Sequence, residues 1–183
     1  EAGRAVTAED IKWNYLRYAS GDTEIAERAF LIEPVLGAKA YTDGEADDIP
    51  GLVVVDDQTF QIILETPNRL FMTSAMIRIA APEAYEQLGE AAFNTPVGTG
   101  PYKFIEWLPE NRLVYEANPD YWNPELPKNA GILFTNYGDE NTALLDYRED
   151  NLDFLFSFPS GQRQAIIEEF PDEYNEQPGL HIR

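Results

Sequence analysis

Two glycines flank a threonine in the stretch NTPVGTGPYKFIEW, residues 94–107, and a proline stands on each side of them. A glycine-rich loop can cradle a phosphate when it follows a strand and opens a helix, usually with a lysine that reaches the phosphates. Here the loop instead precedes an alternating segment typical of a strand, and Lys103 lies on that segment. We therefore predict that Gly98, Thr99 and Gly100 form a hinge or turn that the flanking prolines stiffen. The two glycines would adopt backbone angles that other residues cannot.

The titratable residues give little basis for catalysis. His181 is the only histidine and cysteine is absent, so these residues contain no multi-histidine metal site and no thiol nucleophile. Carboxylates are plentiful, and two of them could in principle hydrolyse a glycoside. Most of them, however, stand in turns or on helix faces, where a solvated charge is the default. The acidic run at residues 43–48 lacks the central glycine and closing glutamate of a calcium loop. We predict no catalytic residue, no bound metal and no cofactor.

Three residues are candidates for contact with a ligand: Arg28, Phe30 and Arg78. Arg78 stands in MIRIAAP between apolar residues, where a buried guanidinium would need a carboxylate partner. That partner could belong to the protein itself or to a ligand. Arg28 and Phe30, on the second helical stretch, raise the same question with less force.

The composition describes a folded, strongly acidic chain. Apolar residues make up 44% of it and aromatic residues 13%, which is enough for a core. The 33 acidic and 13 basic residues give a formal charge of -20, which opposes binding to nucleic acid or an anionic membrane. We predict no nucleic-acid partner. The aromatic residues Trp107, Tyr121 and Trp122 are interpreted as packing residues rather than as a stacking platform.

The elements divide into two kinds of organisation. Up to about residue 93, two helical stretches and a hairpin (LVVVDD with QTFQIILE) predict a small α+β lobe. Thr7 with Asp10 predicts a capping box at the first helix, and Pro34 and Gly37 interrupt the second stretch. From residue 94 onward, alternating strands and helices predict an α/β lobe with a partly parallel sheet. The predicted elements there are a hairpin at 101–118, strands at 131–137 and 152–158, a helix capped by Asp139 and a helix at 160–170. The last residues, 181–183, resemble the start of a strand, which indicates part of a longer protein.

Five stretches, in this order, resemble the family 5 extracellular solute-binding proteins, the oligopeptide-, dipeptide- and nickel-binding components of ABC importers. They are VTAEDIKW, VVVDDQTFQIILETP, PVGTGPYKFIEW, LVYEANPDYWN and DENTALLDYREDNLDF. The resemblance covers nearly the whole chain. One departure is Asp150-Asn151 where the family typically has a glycine before the acidic residue, and asparagine tolerates the same left-handed conformation.

The resemblance implies a domain organisation and a function. Residues 1–93 would form most of the small second domain and residues 94–183 part of the first lobe, of the periplasmic binding protein-like type II α/β class. A third domain, absent from this chain, holds the acidic group that captures a peptide's amino terminus in relatives. The implied function is non-enzymatic: capture of peptides in the periplasm or outside the cell, with or without a lipoprotein anchor, and delivery to an ABC transporter permease. The alternatives left open are a nickel chelate, haem or sugar as ligand, a secreted two-carboxylate hydrolase, and a plain interaction module.

Overall fold

The computed structural model describes residues 3–20, 31–74 and 77–175. The chain forms two compact units, of which one comprises Glu1–Trp107 and Val114–Ile132 and the other Leu108–Leu113 and Leu133–Arg183. The compact units therefore do not divide the chain at residue 93. The assignment of 1–93 and 94–183 to two domains of a longer protein stays a prediction.

Helix α1 (Ala8–Ala19) opens the first unit and begins after Thr7. The Asp10 carboxylate reaches back to accept a hydrogen bond from the Thr7 backbone N–H at 2.8 Å and from the Thr7 hydroxyl at 3.1 Å. This satisfies a donor that the helix itself leaves unpaired, and it confirms that aspartate serves in the capping box here. Ser20 ends the helix.

The core of the first unit lies between α1, helix α2 (Ala38–Thr42) and a hairpin of β1 (Leu52–Asp56) and β2 (Thr59–Ile62). The hairpin is antiparallel, pairs Leu52 with Ile62, and confirms the predicted turn. The buried core residues are Tyr15, Ala19, Ile32, Val35, Ala38, Ile49, Leu52 and Phe71. The helical stretch predicted over 24–41 is a helix only from Ala38, after turns at 32–37, and its part up to residue 30 lies outside the described residues.

Gly51 lies where three backbone segments meet. Its N–H donates to the Leu36 carbonyl at 2.9 Å and its own carbonyl accepts from the Ile63 N–H at 2.8 Å. A Cβ at this position would come within 2.7 Å of the Ile63 carbonyl oxygen and 2.8 Å of the Leu36 backbone nitrogen and oxygen. Only glycine leaves room for this crossing, which ties the turns at 32–37 to the hairpin.

The rest of the first unit contains α3 (Phe71–Ser74), α4 (Pro82–Leu88) and a 3-10 helix at Gly89–Phe93. Pro82 stands at the start of α4, and Gly89, at φ 56°, ends it. The Arg17 guanidinium of α1 lies 3.7 Å from the centre of the Tyr85 ring on α4, a cation–π contact that joins the two helices.

Strands β3 (Tyr102–Leu108), β4 (Arg112–Ala117) and β5 (Gly131–Thr135) form a second sheet in the order β3-β4-β5. The predicted hairpin and the strand at 131–135 are confirmed. Asn118, at the end of β4, donates from its backbone to the Pro101 carbonyl at 2.9 Å and from its side chain to the Gly100 carbonyl at 3.0 Å. These bonds fix the start of the long connection to β5.

The second unit is built on α5 (Glu140–Arg148) and α6 (Arg163–Glu169). The predicted cap is confirmed, since the Asp139 carboxylate accepts from the Thr142 N–H at 3.0 Å. Arg148 makes three hydrogen bonds of 2.7–3.0 Å to Glu169, a forked pair between the two helices. The buried Leu144 and Ile166 supply apolar packing in this unit.

The strand predicted over 152–158 is wrong. A strand requires a neighbouring backbone to pair with, and no part of the chain that the structure describes pairs with this segment. Phe154 and Phe156 are 68% and 80% exposed, although their rings meet at 4.9 Å. The residues 181–183 lie outside the described ranges.

We expect Gly51→Ala to lower the free energy of unfolding by about 1–3 kcal/mol, because the added methyl group meets rigid backbone atoms on two sides. Gly98→Ala is the matched control, since a Cβ there approaches no atom closer than 3.6 Å. Urea denaturation followed by circular dichroism measures both variants. Equal losses of stability for the two substitutions would show that the close backbone contacts at Gly51 are not the cause.

Candidate functional site

Residues 77–81, which carry Arg78, form a segment outside any helix or strand, held between α1 and the loop at 96–100. On one side, the backbone of Ala80 exchanges hydrogen bonds with the side chain of Asn14. On the other side, the Ala81 N–H donates to the Val97 carbonyl at 3.2 Å. The structure therefore brings the predicted ligand residue Arg78 into the same region as the predicted turn at Gly98 and Thr99.

Asn14 is fully buried at 0% exposure. Its Nδ2 donates to the Asp10 carbonyl at 2.8 Å and to the Ala80 carbonyl at 2.9 Å, and its Oδ1 accepts from the Ala80 N–H at 3.0 Å. A buried amide without partners would cost several kcal/mol, in the range of about 2–7 kcal/mol for an unpaired polar group. Here each of these bonds is made to backbone, so the amide holds the 77–81 segment against α1.

A cavity of about 450 Å³ lies beside this segment in the first unit. Its walls are largely apolar and include both the 79–84 stretch and the loop at 97–99. The lining residues are Gly3, Arg4, Val6, Asp10, Ile79, Ala80, Ala81, Pro82, Glu83, Ala84, Gln87, Leu88, Val97, Gly98 and Thr99. Within the 77–84 stretch the lining includes Ile79 and the five residues after it, but not Arg78.

One edge of the cavity carries a group of paired charges. The Arg4 guanidinium donates to the two Asp10 carboxylate oxygens at 2.6 and 2.7 Å, and it also contacts the Glu83 carboxylate. The hydrogen bond from Arg4, and after it those from Thr7, lower the pKa of Asp10 to about 2. The hydrogen bond from Arg4 also lowers the pKa of Glu83. The pKa of Arg4 is raised by the same contacts. A general acid needs a raised carboxyl pKa, so the shifts here run against an acid–base role.

The structure overturns the reason for which Arg78 was singled out. Its side chain is exposed and is therefore not a buried cation. The segment is held through its backbone, by the hydrogen bonds between Ala80 and Asn14. Arg78 joins none of the ion pairs formed within the described ranges. A role in ligand contact stays a prediction. Arg28 and Phe30 lie outside the described residues.

The backbone angles expected at Gly98 and Gly100 are also wrong. Positive φ values occur at Gly37, Gly44 and Gly89, but at neither of these two positions. The flanking prolines and the hydrogen bonds of Val97 and Asn118 shape the loop without a left-handed residue. The hinge role of Gly98–Gly100 remains a prediction that no observed angle tests.

The aromatic residues near the second sheet do not all pack as expected. Trp122 is 79% exposed, and Trp107 is exposed as well, whereas Tyr121 is half-buried and contacts Trp122 at 5.6 Å between ring centres. Trp122 stands on the connection between β4 and β5, and not on the inner face of a helix or strand. The interpretation as a packing residue is wrong for Trp122.

Asp10 and Asn14 were missed as part of the site. Asp10 was identified only as a cap, and Asn14 was not singled out at all. The available signal was their spacing, because residues four apart lie on one face of a helix. Within the described ranges, no group of three or more histidine, cysteine or acidic residues lies close enough to hold a metal ion. None of the described helices is both long enough and apolar enough to cross a bilayer.

Residues 2–183 match the family model described as bacterial extracellular solute-binding proteins, family 5 Middle. The chain belongs to this family, and the resemblance carried by its five motifs is confirmed. The family consists of solute-binding proteins and not of enzymes. Its structural neighbours are periplasmic binding proteins of the type II α/β class, which confirms the predicted fold class.

Individual relatives agree with the family match. The chain is 25% identical over 98% of its length to the dipeptide-binding protein DppE of Bacillus subtilis, and 26% identical over 97% to the periplasmic oligopeptide-binding protein OppA of Salmonella typhimurium. It superposes on the solved structure of OppA from Burkholderia pseudomallei with a TM-score of 0.80, at 26% identity over 91% of the chain. It spans about a third of each, 34% of their length.

We expect Asp10→Asn to destabilise the protein by about 1–2 kcal/mol at pH 7, because asparagine can still cap Thr7 but loses the charge-assisted bonds to Arg4. The folded pKa of Asp10, about 2, lies below its ordinary value of 3.8. Its contribution is therefore complete above that ordinary value and is lost as the pH falls toward 2. Urea unfolding should give a smaller gap between the variant and the unmodified protein at pH 3 than at pH 7. Asp47→Asn, at an exposed residue, is the control, and a gap independent of pH would contradict the assignment.

Proposed function

We propose that the full-length protein captures short peptides outside the cytoplasm and delivers them to the permease of an ABC transporter. The observation that carries the proposal is the superposition of 91% of this chain on an OppA structure with a TM-score of 0.80. The names of the relatives DppE and OppA, a dipeptide- and an oligopeptide-binding protein, support the peptide as ligand. The protein would reside in the periplasm or outside the cell, either free or held by a lipid anchor.

Binding of this kind needs no catalytic residue. A peptide offers backbone donors and acceptors and two charged ends, and a site that pairs these groups while excluding water holds it without covalent chemistry. The paired, downward-shifted carboxyls Asp10 and Glu83 are suited to stabilising the fold and not to acid–base turnover.

Arg78 is the described residue that we propose as a ligand contact, as a partner for a peptide carboxylate. A guanidinium matches the geometry of a carboxylate and can bind it through two parallel hydrogen bonds. Two features support the choice: the side chain is exposed, and it joins none of the ion pairs observed among the described residues of a chain that carries a formal charge of -20. Arg28 and Phe30 are proposed as further contacts, and Gly98–Gly100 as the turn that leads toward the second sheet.

Native mass spectrometry and calorimetry of the full-length protein test the proposal. The ligands are alanine di- to pentapeptides, with a nickel chelate, haem and an oligosaccharide as parallel arms. We expect one peptide bound per protein, at micromolar affinity or tighter, and no turnover of the peptide. Binding in one of the other arms without peptide binding would overturn the peptide assignment. The 183-residue chain alone is expected to bind peptide negligibly, because it covers about a third of its relatives.

We expect Arg78→Ala to raise the Kd for tetra-alanine about tenfold or more, the loss typical of a charge-assisted hydrogen bond. Tetra-alanine amide, which lacks the carboxylate, should bind both forms equally. Arg69→Ala is the matched control, because Arg69 is also an exposed arginine in the first unit. Similar losses for the free and the amidated peptide would contradict a carboxylate contact at Arg78.

A further inference from the structure

The buried amide of Asn14 pairs with Ala80 much as a residue of a neighbouring strand would. It donates to the Ala80 carbonyl at 2.9 Å and accepts from the Ala80 N–H at 3.0 Å, so both polar groups of one residue are matched by one side chain. In an antiparallel sheet, two facing residues exchange the same two kinds of bond. The third bond of Asn14, to the Asp10 carbonyl at 2.8 Å, fixes the amide on the turn of α1 below it.

This pairing fixes the orientation of the backbone as well as its position. The oxygen and the NH2 group of the amide lie side by side in one plane, and because Nδ2 also donates to the Asp10 carbonyl, the amide pairs with Ala80 in one orientation. The next residue, Ala81, is held from the other side by the Val97 carbonyl at 3.2 Å. The backbone two residues after Arg78 is therefore clamped between a helix and a loop, while the Arg78 side chain itself is exposed.

We infer that Asn14 is a positioning residue for the ligand contact at Arg78, which rests on the function proposed above. An arginine loses side-chain and backbone freedom when it binds a carboxylate, and a backbone that is already fixed reduces this cost. Asn14 does not touch the ligand. It acts through Ala80, because the fixed backbone holds the Cα of Arg78 in one place. Only the Arg78 side chain then has to become ordered when it binds the carboxylate.

Asn14→Ser separates this role from a general contribution to the helix. A serine hydroxyl in a helix can bond the carbonyl four residues earlier, which here is Asp10, but it is too short to reproduce the pair of bonds to Ala80. Asn14→Ala removes all three bonds. Ile49→Val is the control for loss of stability, because Ile49 is fully buried in the apolar core of the same unit and Val leaves a small cavity.

The experiment uses the full-length protein and two measurements. Amide hydrogen exchange of the peptides that cover 77–83 should become about tenfold faster in Asn14→Ser and Asn14→Ala, and stay unchanged there in Ile49→Val. The Kd for tetra-alanine should rise about fivefold in the two Asn14 variants. In an Arg78→Ala background, the same Asn14 substitutions should leave the Kd unchanged, because the residue they position is gone.

Each outcome decides the inference. Unchanged exchange at 77–83 overturns it, and so does a loss of affinity that is equal with and without Arg78, since Asn14 would then act on stability alone. If Asn14→Ala does not fold, Asn14→Ser gives the same decision. Failure of the proposed function is a separate result: the unmodified protein then binds no alanine peptide in any measurement. The exchange data still support or refute the clamp in that case.

Discussion

The first unit depends on two buried polar side chains on one face of α1, Asp10 and Asn14, and on the hydrogen bonds that each of them makes. At 5% and 0% exposure, neither could be buried without partners, because an unpaired polar group costs several times the net gain of a hydrogen bond. Both find their partners outside the helix: Asp10 in Arg4 and Asn14 in Ala80. The opposite face packs through Tyr15 and apolar neighbours. One face of α1 thus builds the core, and the other fixes the segment that carries the candidate ligand contact.

The charges of the chain serve mainly to hold this architecture. Arg4, Lys12 and Arg148 each pair with a carboxylate of the protein. Arg4 lowers the pKa of Asp10 and of Glu83, and Lys12 lowers that of Asp48. Pairs with an exposed carboxylate, such as Lys12–Asp48 and Arg148–Glu169, stabilise weakly, by about 0–1 kcal/mol each. These pairs also bear on which cations can bind a ligand. Cations that neutralise carboxylates of the protein are not free to bind those of a ligand, and this distinguishes an exposed arginine such as Arg78 from them.

Elements set by neighbouring residues could be predicted, and those that depend on remote partners could not. Thr7 with Asp10, Asp139 with Thr142 and Gly89 act within one helical turn, so their caps follow from spacing. The alternation at 152–158 is equally typical of a strand, yet a strand exists only if another backbone lies beside it. The exposure of Arg78 and Trp122 depends likewise on what surrounds each segment. The four-residue spacing placed Asn14 on the same helix face as Asp10, but it could not indicate the partner Ala80, which is 66 residues away.

The sequence by itself determined the family, through five motifs in order, together with the helix caps, the hairpins and the acidic charge that opposes nucleic acid. These properties follow from residue type and short spacing alone. The tertiary structure decided which polar residues meet. It placed Ala80 against Asn14, the 97–99 loop against the Arg78 segment, and an apolar cavity beside that segment. Contacts across such separations depend on how the chain closes its loops, and no local pattern encodes that closure.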